Sequence, residues 1–114
     1  MDEKIKTFKA LSDKNRLRIL KLLEAKPLCV CELNAILEIA QSSTSQHLKV
    51  LKDVGLIKDK KQSYWVNYYL AQNVKDNFIR EQLKIIAKSF NDDAVIKKDN
   101  RMVRKINRKS LCCK

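Results

Sequence analysis

The chain has 114 residues and a mass of 13.3 kDa, which suits one domain and excludes a two-lobed enzyme built around a cleft. Its 25 Lys and Arg against 13 Asp and Glu leave a net charge of +12, which favours a polyanionic partner. No run approaches the ~18 consecutive apolar residues of a membrane span, and the polar N-terminus lacks the pattern of a secretory signal. We therefore expect a cytoplasmic protein without a membrane partner, whose four cysteines are thiols or metal ligands rather than disulfides.

Helical periodicity dominates the chain, which contains a single Gly and a single Pro. In the first half the predicted elements are a helix at 3–11, a helix capped by Ser12 or Asp13 that ends before Pro27, an extended piece at 28–30, a helix at about 31–37, and a polar-headed helix that ends at Gly55. In the second half they are a strand that begins at Leu56 and Ile57, a charged turn at 58–63, a strand at 64–70 and a long helix at about 74–90.

This order of elements predicts a mainly α protein with a small β-hairpin, the winged helix-turn-helix architecture. The apolar helix after the hairpin, described below, predicts that this fold is homodimeric. The DNA-binding and dimerisation domain occupies residues 1–92 in this prediction. Residues 93–114 form a basic C-terminal tail with vicinal cysteines, since the last eighteen residues carry eight basic side chains and one acidic one. A tail of this kind most often serves solubility, so its charge alone assigns it no function.

The fourth helix carries the clearest sign of DNA binding. A helix that enters the major groove needs small polar side chains at its N-terminal end and an apolar face further along that holds it on the domain. Ser42 or Ser43 can also cap this helix. A serine-rich loop before a core helix would explain the same residues, but the basic hairpin that follows favours DNA. The predicted base-facing residues are Gln41, Ser42, Ser43, Thr44, Ser45, Gln46 and His47.

Cations on and after this helix are candidates for phosphate contacts. Lys60 and Lys61 stand in the predicted charged turn, at a hairpin tip that can reach the DNA backbone beside the groove. The predicted DNA-binding set therefore also includes Lys49, Lys52, Lys60, Lys61, Gln62 and Tyr64.

The sequence does not predict an enzyme. His47 is the only histidine, so it is expected to be satisfied within the fold or to face DNA rather than to bind a metal ion. The chain has no Gly-rich phosphate loop and no plausible Cys/His pair, and we predict no constitutive cofactor.

The helix after the hairpin is more apolar than a single small domain requires. It could be a core helix of the monomer, but with so few residues to cover it an isologous two-fold interface accounts better for its composition. The predicted interface, which also draws on the first helix, consists of Ile5, Phe8, Phe78, Ile79, Leu83, Ile86 and Phe90.

Three segments in the right order resemble the ArsR/SmtB family of metalloregulatory repressors. Residues 10–20 resemble the opening signature of that family, residues 41–51 its recognition helix, and residues 52–57 the segment that leads into its wing. The resemblance covers about residues 4 to 90 and implies a homodimer that sits on a pseudo-palindromic operator and leaves it when an inducer binds. One departure is Ser63 at the wing tip, where the family often has Gly and where a primed turn is less comfortable without it.

The sequence Leu-Cys-Val-Cys-Glu-Leu-Asn at residues 28–34 resembles the Cys-Val-Cys-Asp-Leu-Cys box of the arsenic-responsive branch. Three thiolates bind trivalent arsenic or antimony there, so the resemblance implies arsenite, antimonite or another soft metal ion as inducer, with Cys29 and Cys31 as ligands. Thiolates are the soft ligands that such ions need, and a helix N-terminus stabilises them. Asn34 stands where the third cysteine of the box would be, so a site with three sulfurs needs another donor.

Cys112 and Cys113 could supply that donor, because trivalent arsenicals favour closely spaced thiols. They could reach the box in their own chain or across the dimer, or form a separate site, and a chain end without function is the plain alternative. Oxidation to a disulfide or a persulfide is a second kind of inducing event, which would make the protein a redox regulator of the same fold. A histidine-and-carboxylate zinc site on the last helix is not predicted, because that helix has no histidine.

Overall fold

The computed structural model describes residues 1–106, which contain six helices and one antiparallel hairpin. No helix in this range is long and apolar enough to cross a membrane. The elements are α1 (Asp2–Leu11), α2 (Lys14–Leu23), α3 (Val30–Leu37), α4 (Gln41–Asp53), β1 (Ile57–Gln62), β2 (Trp65–Leu70), α5 (Asn77–Ala87) and α6 (Ala94–Lys105).

Of the two predicted caps of α2, Ser12 and Asp13, the structure confirms Asp13. Its carboxylate accepts hydrogen bonds from the N–H groups of Asn15 and Arg16, at 2.9 and 3.1 Å. Burial of Asp13 opposes its ionisation, but the N–H of Arg16, the charges of His47 and Arg16, and the N–H of Asn15 outweigh burial and lower the pKa of this carboxyl group. The carboxylate of Asp13 therefore stays ionised in mildly acidic solution, and its hydrogen bonds to the helix are charge-assisted.

The hairpin turns later than the sequence predicts. The residues assigned to a charged turn, 58–63, belong mostly to β1, and only Ser63 and Tyr64 connect the paired strands. Both faces of this strand are largely exposed and carry Lys and Asp side chains. The sequence therefore lacks the alternation of apolar and polar residues that predicts a strand. Ser63 takes φ 55°, the left-handed region that favours glycine, at the position where the family often has Gly.

The core lies between α2, α3 and α4, and the hairpin packs beside it. Leu20, Leu33 and Leu51, one from each helix, have no exposed surface. The segment before α3 joins the hairpin through an isolated bridge between Leu28 and Tyr68. This arrangement confirms the predicted winged helix-turn-helix, with α3 and α4 as the helix-turn-helix and the hairpin as the wing.

The helix predicted at 74–90 is shorter at both ends, since α5 begins at Asn77 and ends at Ala87. Phe90 takes φ 65°, which a continuing helix would not allow. A buried cation accounts for the end of α5. The ammonium of Lys21 donates to the carbonyl oxygen of Ile86 at 3.0 Å and to Oδ1 of Asn91 at 2.9 Å. Lys21 thereby satisfies a helix C-terminus and fixes the connection that follows it.

A sixth helix lies in the segment that the sequence assigned to the basic tail. Asp93 caps α6, and Ile96, Asp99 and Val103 form its buried face against α2 and α3. The guanidinium of Arg18 binds Asp99 through two hydrogen bonds of 2.8 and 2.9 Å. Apolar periodicity alone does not predict this helix, because many cations surround its few apolar residues and one of its buried positions is a carboxylate.

Candidate nucleic-acid interface and thiol site

The recognition helix α4 begins earlier than a serine cap would allow. Its N-cap is Ala40, so the prediction that Ser42 or Ser43 caps the helix is wrong, and both serines lie exposed in the first turn. No side chain caps the helix. The first N–H groups of α4 are therefore available to an anion such as a phosphate oxygen.

Thr44 interrupts the exposed polar side of α4. It is fully buried and lies one and two turns before Leu48 and Leu51, on the side of the helix that faces the core. Its hydroxyl oxygen has no hydrogen-bond partner among the described residues. The prediction that Thr44 faces bases is wrong, whereas the other predicted positions are exposed or, for the last of them, half-buried: Gln41, Ser42, Ser43, Ser45, Gln46 and His47.

Both lysines of the recognition helix already have carboxylate partners. Lys49 pairs with Asp53 one turn later at 3.0 Å, and Lys52 reaches Asp59 of the wing at 3.0 Å. The hydrogen bond that Lys52 donates to Asp59 is the main reason why the pKa of Lys52 is raised. These pairs neutralise much of the charge that the sequence assigned to phosphate contacts, and the second one ties α4 to β1.

The wing presents its cations along a strand rather than at its tip. Lys60 and Lys61 are exposed on β1, and because neighbouring residues of a strand point to opposite faces, they do not face the same surface. Gln62 accepts a hydrogen bond from the amide of Asn67, so it is partly engaged within the hairpin. Tyr64, at the tip, is 93% exposed.

His47 contacts an arginine that sequence reasoning did not single out. Nη1 of Arg16 lies 3.3 Å from Nδ1 of His47. The same guanidinium donates to the carbonyl oxygens of Ala10 at 2.8 Å and Lys9 at 3.1 Å, at the end of α1. Arg16 therefore caps α1 and fixes the middle of the recognition helix, a role that only the three-dimensional contact reveals.

The two cysteines of the box lie at the start of α3. Cys29 is the N-cap, where its sulfur accepts a hydrogen bond from the N–H of Glu32, and its own N–H donates to Oε1 of Glu32 at 2.9 Å. It is 3% exposed. Cys31, in the first turn, is half-buried. The helix thus begins slightly before the predicted residue, and its N-terminus holds both thiols.

These two thiols do not make a complete three-ligand site by themselves. Within residues 1–106 no group of three or more Cys, His, Asp or Glu side chains could hold a metal ion. Asn34, where the related box has its third cysteine, has a buried Oδ1 atom without a hydrogen-bond partner. The predicted ligands Cys112 and Cys113 lie outside the described residues.

The last turn of α6 lies beside the end of α2, from which the chain leads to the thiols. Arg18, which binds Asp99 in the middle of α6, also donates to the carbonyl oxygen of Ile36 at 3.3 Å, at the C-terminal end of α3. Beyond that point, Asn100, Val103 and Arg104 line a surface cleft opposite the last turn of α2 and the two residues that follow it. Helix α6 therefore runs parallel to α2 and ends near the end of α2 from which the chain passes into α3.

The apolar face expected to form a dimer is smaller than predicted. Ile79 and Ile86 are 6% and 7% exposed and belong to the core of the single chain, so the prediction that they lie on an open face is wrong. Phe8 is 54% exposed, and its ring meets that of Phe78 edge to face at 5.5 Å between centroids. The other predicted interface residues are exposed or half-buried: Ile5, Phe8, Phe78, Leu83 and Phe90.

Known proteins match this chain, and the family model among them spans the recognition helix and both box cysteines. Residues 13–59 match the family model described as "Bacterial regulatory protein, arsR family". The arsenical resistance operon repressor of Escherichia coli is 44% identical over 71 residues, which cover 61% of this chain and 61% of that repressor. An arsenic resistance transcriptional regulator of Pseudomonas putida is 33% identical over 110 residues, which cover 93% of this chain and 94% of that protein. Reduced HlyU from Vibrio cholerae is similar in structure, with a TM-score of 0.65 and 29% identity, over 79% of this chain and 90% of that chain.

Proposed function

This chain belongs to the ArsR family of bacterial regulatory proteins, and on that basis we propose that it represses transcription from an operator that it releases when a thiophilic ion binds its cysteines. One observation carries the proposal: two cysteines occupy the start of the helix that leads directly into an exposed polar recognition helix. The family consists of DNA-binding transcriptional regulators rather than enzymes. We place the protein in the cytoplasm, with double-stranded operator DNA as its partner.

The exposed polar residues of α4 are the base readers in this proposal. Ser45 and Gln46 lie on the exposed side of the helix, and Gln can pair with adenine through two hydrogen bonds in the major groove. Lys60 and Lys61 of the wing supply phosphate contacts, which position the protein without reading sequence.

Two copies of the chain bind together through an apolar patch formed by α1, α5 and the residues just after α5. Its exposed members, Ile5, Phe8 and Phe90, would otherwise remain in water, at 41%, 54% and 44% exposure. A two-fold dimer places two recognition helices about 34–36 Å apart, one turn of DNA. The operator is therefore an inverted repeat in this proposal.

Substituting Ser45 and Gln46 by alanine should lower operator affinity by about 10-fold to 100-fold and leave binding to random DNA almost unchanged, because base contacts carry the specificity. The operator is obtained by selecting duplexes from a randomised library with the full chain, and affinities are measured by fluorescence anisotropy. The control is Gln72→Ala, an exposed glutamine outside α4 and the wing. Equal losses on operator and random DNA would contradict base reading, and selected sites without an inverted repeat would contradict the dimer.

Arsenite and antimonite are the inducers that the thiols suit best. Each thiol that binds As(OH)3 replaces one hydroxyl group, which leaves as water with the thiol proton, so that three thiols complete the coordination of the ion. Cys29 and Cys31 supply two sulfurs from the start of one helix.

Cys112 or Cys113 supplies the third sulfur, and we place it in the same chain as the box. Helix α6 ends near the end of α2 that leads into α3. Only five residues separate Ile106 from Cys112, a span of up to ~20 Å for an extended chain. The orientation of α6 therefore favours the box of the same chain over that of a second copy.

An ion shared by the two thiols changes the first turn of α3, because Cys29 there accepts the hydrogen bond that starts the helix. Helix α3 leads into α4 through residues 38–40 only, and Glu38 takes the left-handed conformation, φ 58°, that fixes the turn. A tilt of α3 is therefore passed to the recognition helix. The ion must bind the DNA-free conformation more tightly than the DNA-bound one for release to follow.

Titration of the complex between the full chain and its selected operator with arsenite, cadmium or hydrogen peroxide tests this inducer assignment. We expect micromolar arsenite to release the DNA completely and peroxide to leave it bound, because Cys29 is 3% exposed and its sulfur accepts a hydrogen bond from the N–H of Glu32, which protects it from oxidation. Release by peroxide but not by arsenite would replace metalloid sensing with thiol oxidation, the alternative inducing event.

A further inference from the structure

Helix α6 carries a cluster of exposed cations. In the part of the chain that the structure describes, none of these cations forms an ion pair. The only carboxylate within the helix is Asp99, which is buried against Arg18. All five are exposed: Lys97, Lys98, Arg101, Arg104 and Lys105.

These cations lie on the side of α6 that faces away from the core. Ile96, Asp99 and Val103 define the buried side, and the cations occupy the remaining positions between and after them. The cluster extends over nine residues, 97–105, and its first and last residues lie about 12 Å apart along the helix. Because one strand of B-DNA carries a phosphate every ~3.4 Å along the axis, this length corresponds to several phosphates.

Among residues 1–106, helix α6 offers the unpaired positive charge that the recognition helix lacks. Lys49 and Lys52 are paired with Asp53 and Asp59, so α4 itself offers little positive charge to the DNA backbone. The basic face of α6 is also unsuited to contact with a second copy of itself, because like charges would oppose each other across a two-fold axis. A polyanion fits it better.

The attachment of α6 places this face beside the helix-turn-helix. Arg18 binds Asp99 of α6 and the carbonyl oxygen of Ile36 near the end of α3. Ile36 is five residues before Gln41, the first residue of the recognition helix, so their Cα atoms are at most ~17 Å apart. We therefore expect phosphates that flank the bound groove to lie within reach of the exposed side of α6.

We propose that the basic face of α6 is a second DNA-binding surface, which contacts phosphates of the duplex outside the recognition helix and acts on any sequence. This inference rests on the proposed function in one respect, that the physiological partner of the chain is DNA.

The test compares two triple variants of the full chain that lose the same charge. Lys97→Gln, Lys98→Gln and Arg101→Gln together neutralise the face with residues that favour helices. Lys26→Gln, Lys75→Gln and Lys88→Gln together remove three exposed cations from other surfaces. Circular dichroism establishes that both variants fold, and binding to a random 30-base-pair duplex is measured between 50 and 300 mM KCl.

We expect the α6 variant to lower the slope of log affinity against log salt by about 0.9 for each lost phosphate contact, up to about 2.7, and to weaken operator and random binding alike. The other triple variant should change the slope by less than about 1. Equal changes in both variants, or an unchanged slope for the α6 variant, would overturn the inference.

The wing variant Lys60→Ala with Lys61→Ala separates this inference from the proposed function. If the wing variant lowers the slope and the α6 variant does not, α6 is no DNA-binding surface but the repressor proposal stands. If the unmodified chain selects no sequence while the α6 variant still lowers the slope, the repressor proposal fails and the DNA-binding surface on α6 stands.

Discussion

Serine in place of Cys31 will leave operator binding intact and abolish the release of the operator by arsenite. A hydroxyl group is a poor ligand for a soft ion, so the half-maximal arsenite concentration should rise by at least 100-fold in an anisotropy titration. Cys29→Ser should act in the same way without unfolding α3, because serine is itself a favourable N-cap and can accept the hydrogen bond that the sulfur now accepts from Glu32.

Asn34→Cys provides the matched control for this prediction. It restores the third cysteine of the related box and removes an amide oxygen that is buried without a partner, so it should not weaken the fold. With Cys112 and Cys113 both changed to serine, the response should weaken severalfold or more, and Asn34→Cys should then restore it. A normal arsenite response of Cys31→Ser would show that the box is not the sensor.

Asp99→Ala will cost about 3–5 kcal/mol of unfolding free energy, a large part of the stability of a domain of this size. It leaves the guanidinium of Arg18, whose side chain is 16% exposed, without the carboxylate that binds it at two points. The side chain of Asp99 is only 2% exposed, so water cannot readily take its place. Urea unfolding at a fixed protein concentration measures the loss as a shift of the midpoint.

Glu81→Ala is the control for the buried pair. Glu81 pairs with Lys84 at 3.4 Å on the surface of α5, with both side chains at least half exposed, so its loss should cost less than about 1 kcal/mol. Asp99→Asn should fall between the two, because the amide oxygen can still accept one hydrogen bond. Equal midpoints for Asp99→Ala and Glu81→Ala would show that the pair contributes no more than a surface pair does.

Those parts of the fold that depend on local chemistry could be predicted from the sequence. A capping aspartate, a glycine after α4 and a polar start of the recognition helix each act within one turn of the chain, and each is found where it was expected. The position of the thiols could be predicted for the same reason. A proline ends the preceding helical segment shortly before Cys29 and Cys31, so that both cysteines fall at the start of the next helix.

The parts that depend on distant partners could not be predicted. Thr44 belongs to a polar segment, yet the packing of α4 turns it into the core. Asp99 counts as a surface charge until Arg18, 81 residues away, is placed beside it. The same applies to Ile86, which apolar spacing assigns equally well to a dimer interface or to the core; packing against the rest of the chain decides for the core.

The bridge between Leu28 and Tyr68 places the sensor and the wing on one mechanical linkage. Two main-chain hydrogen bonds, of 3.1 and 2.8 Å, join these residues. Leu28 directly precedes Cys29, and Tyr68 lies opposite Asp59, the carboxylate that holds Lys52 of the recognition helix. A displacement at the thiols can therefore reach the wing through main-chain hydrogen bonds, and the ion pair between Asp59 and Lys52 joins the wing to the recognition helix. If an ion at the thiols displaces Leu28, we expect the wing and the recognition helix to leave the DNA together rather than one after the other.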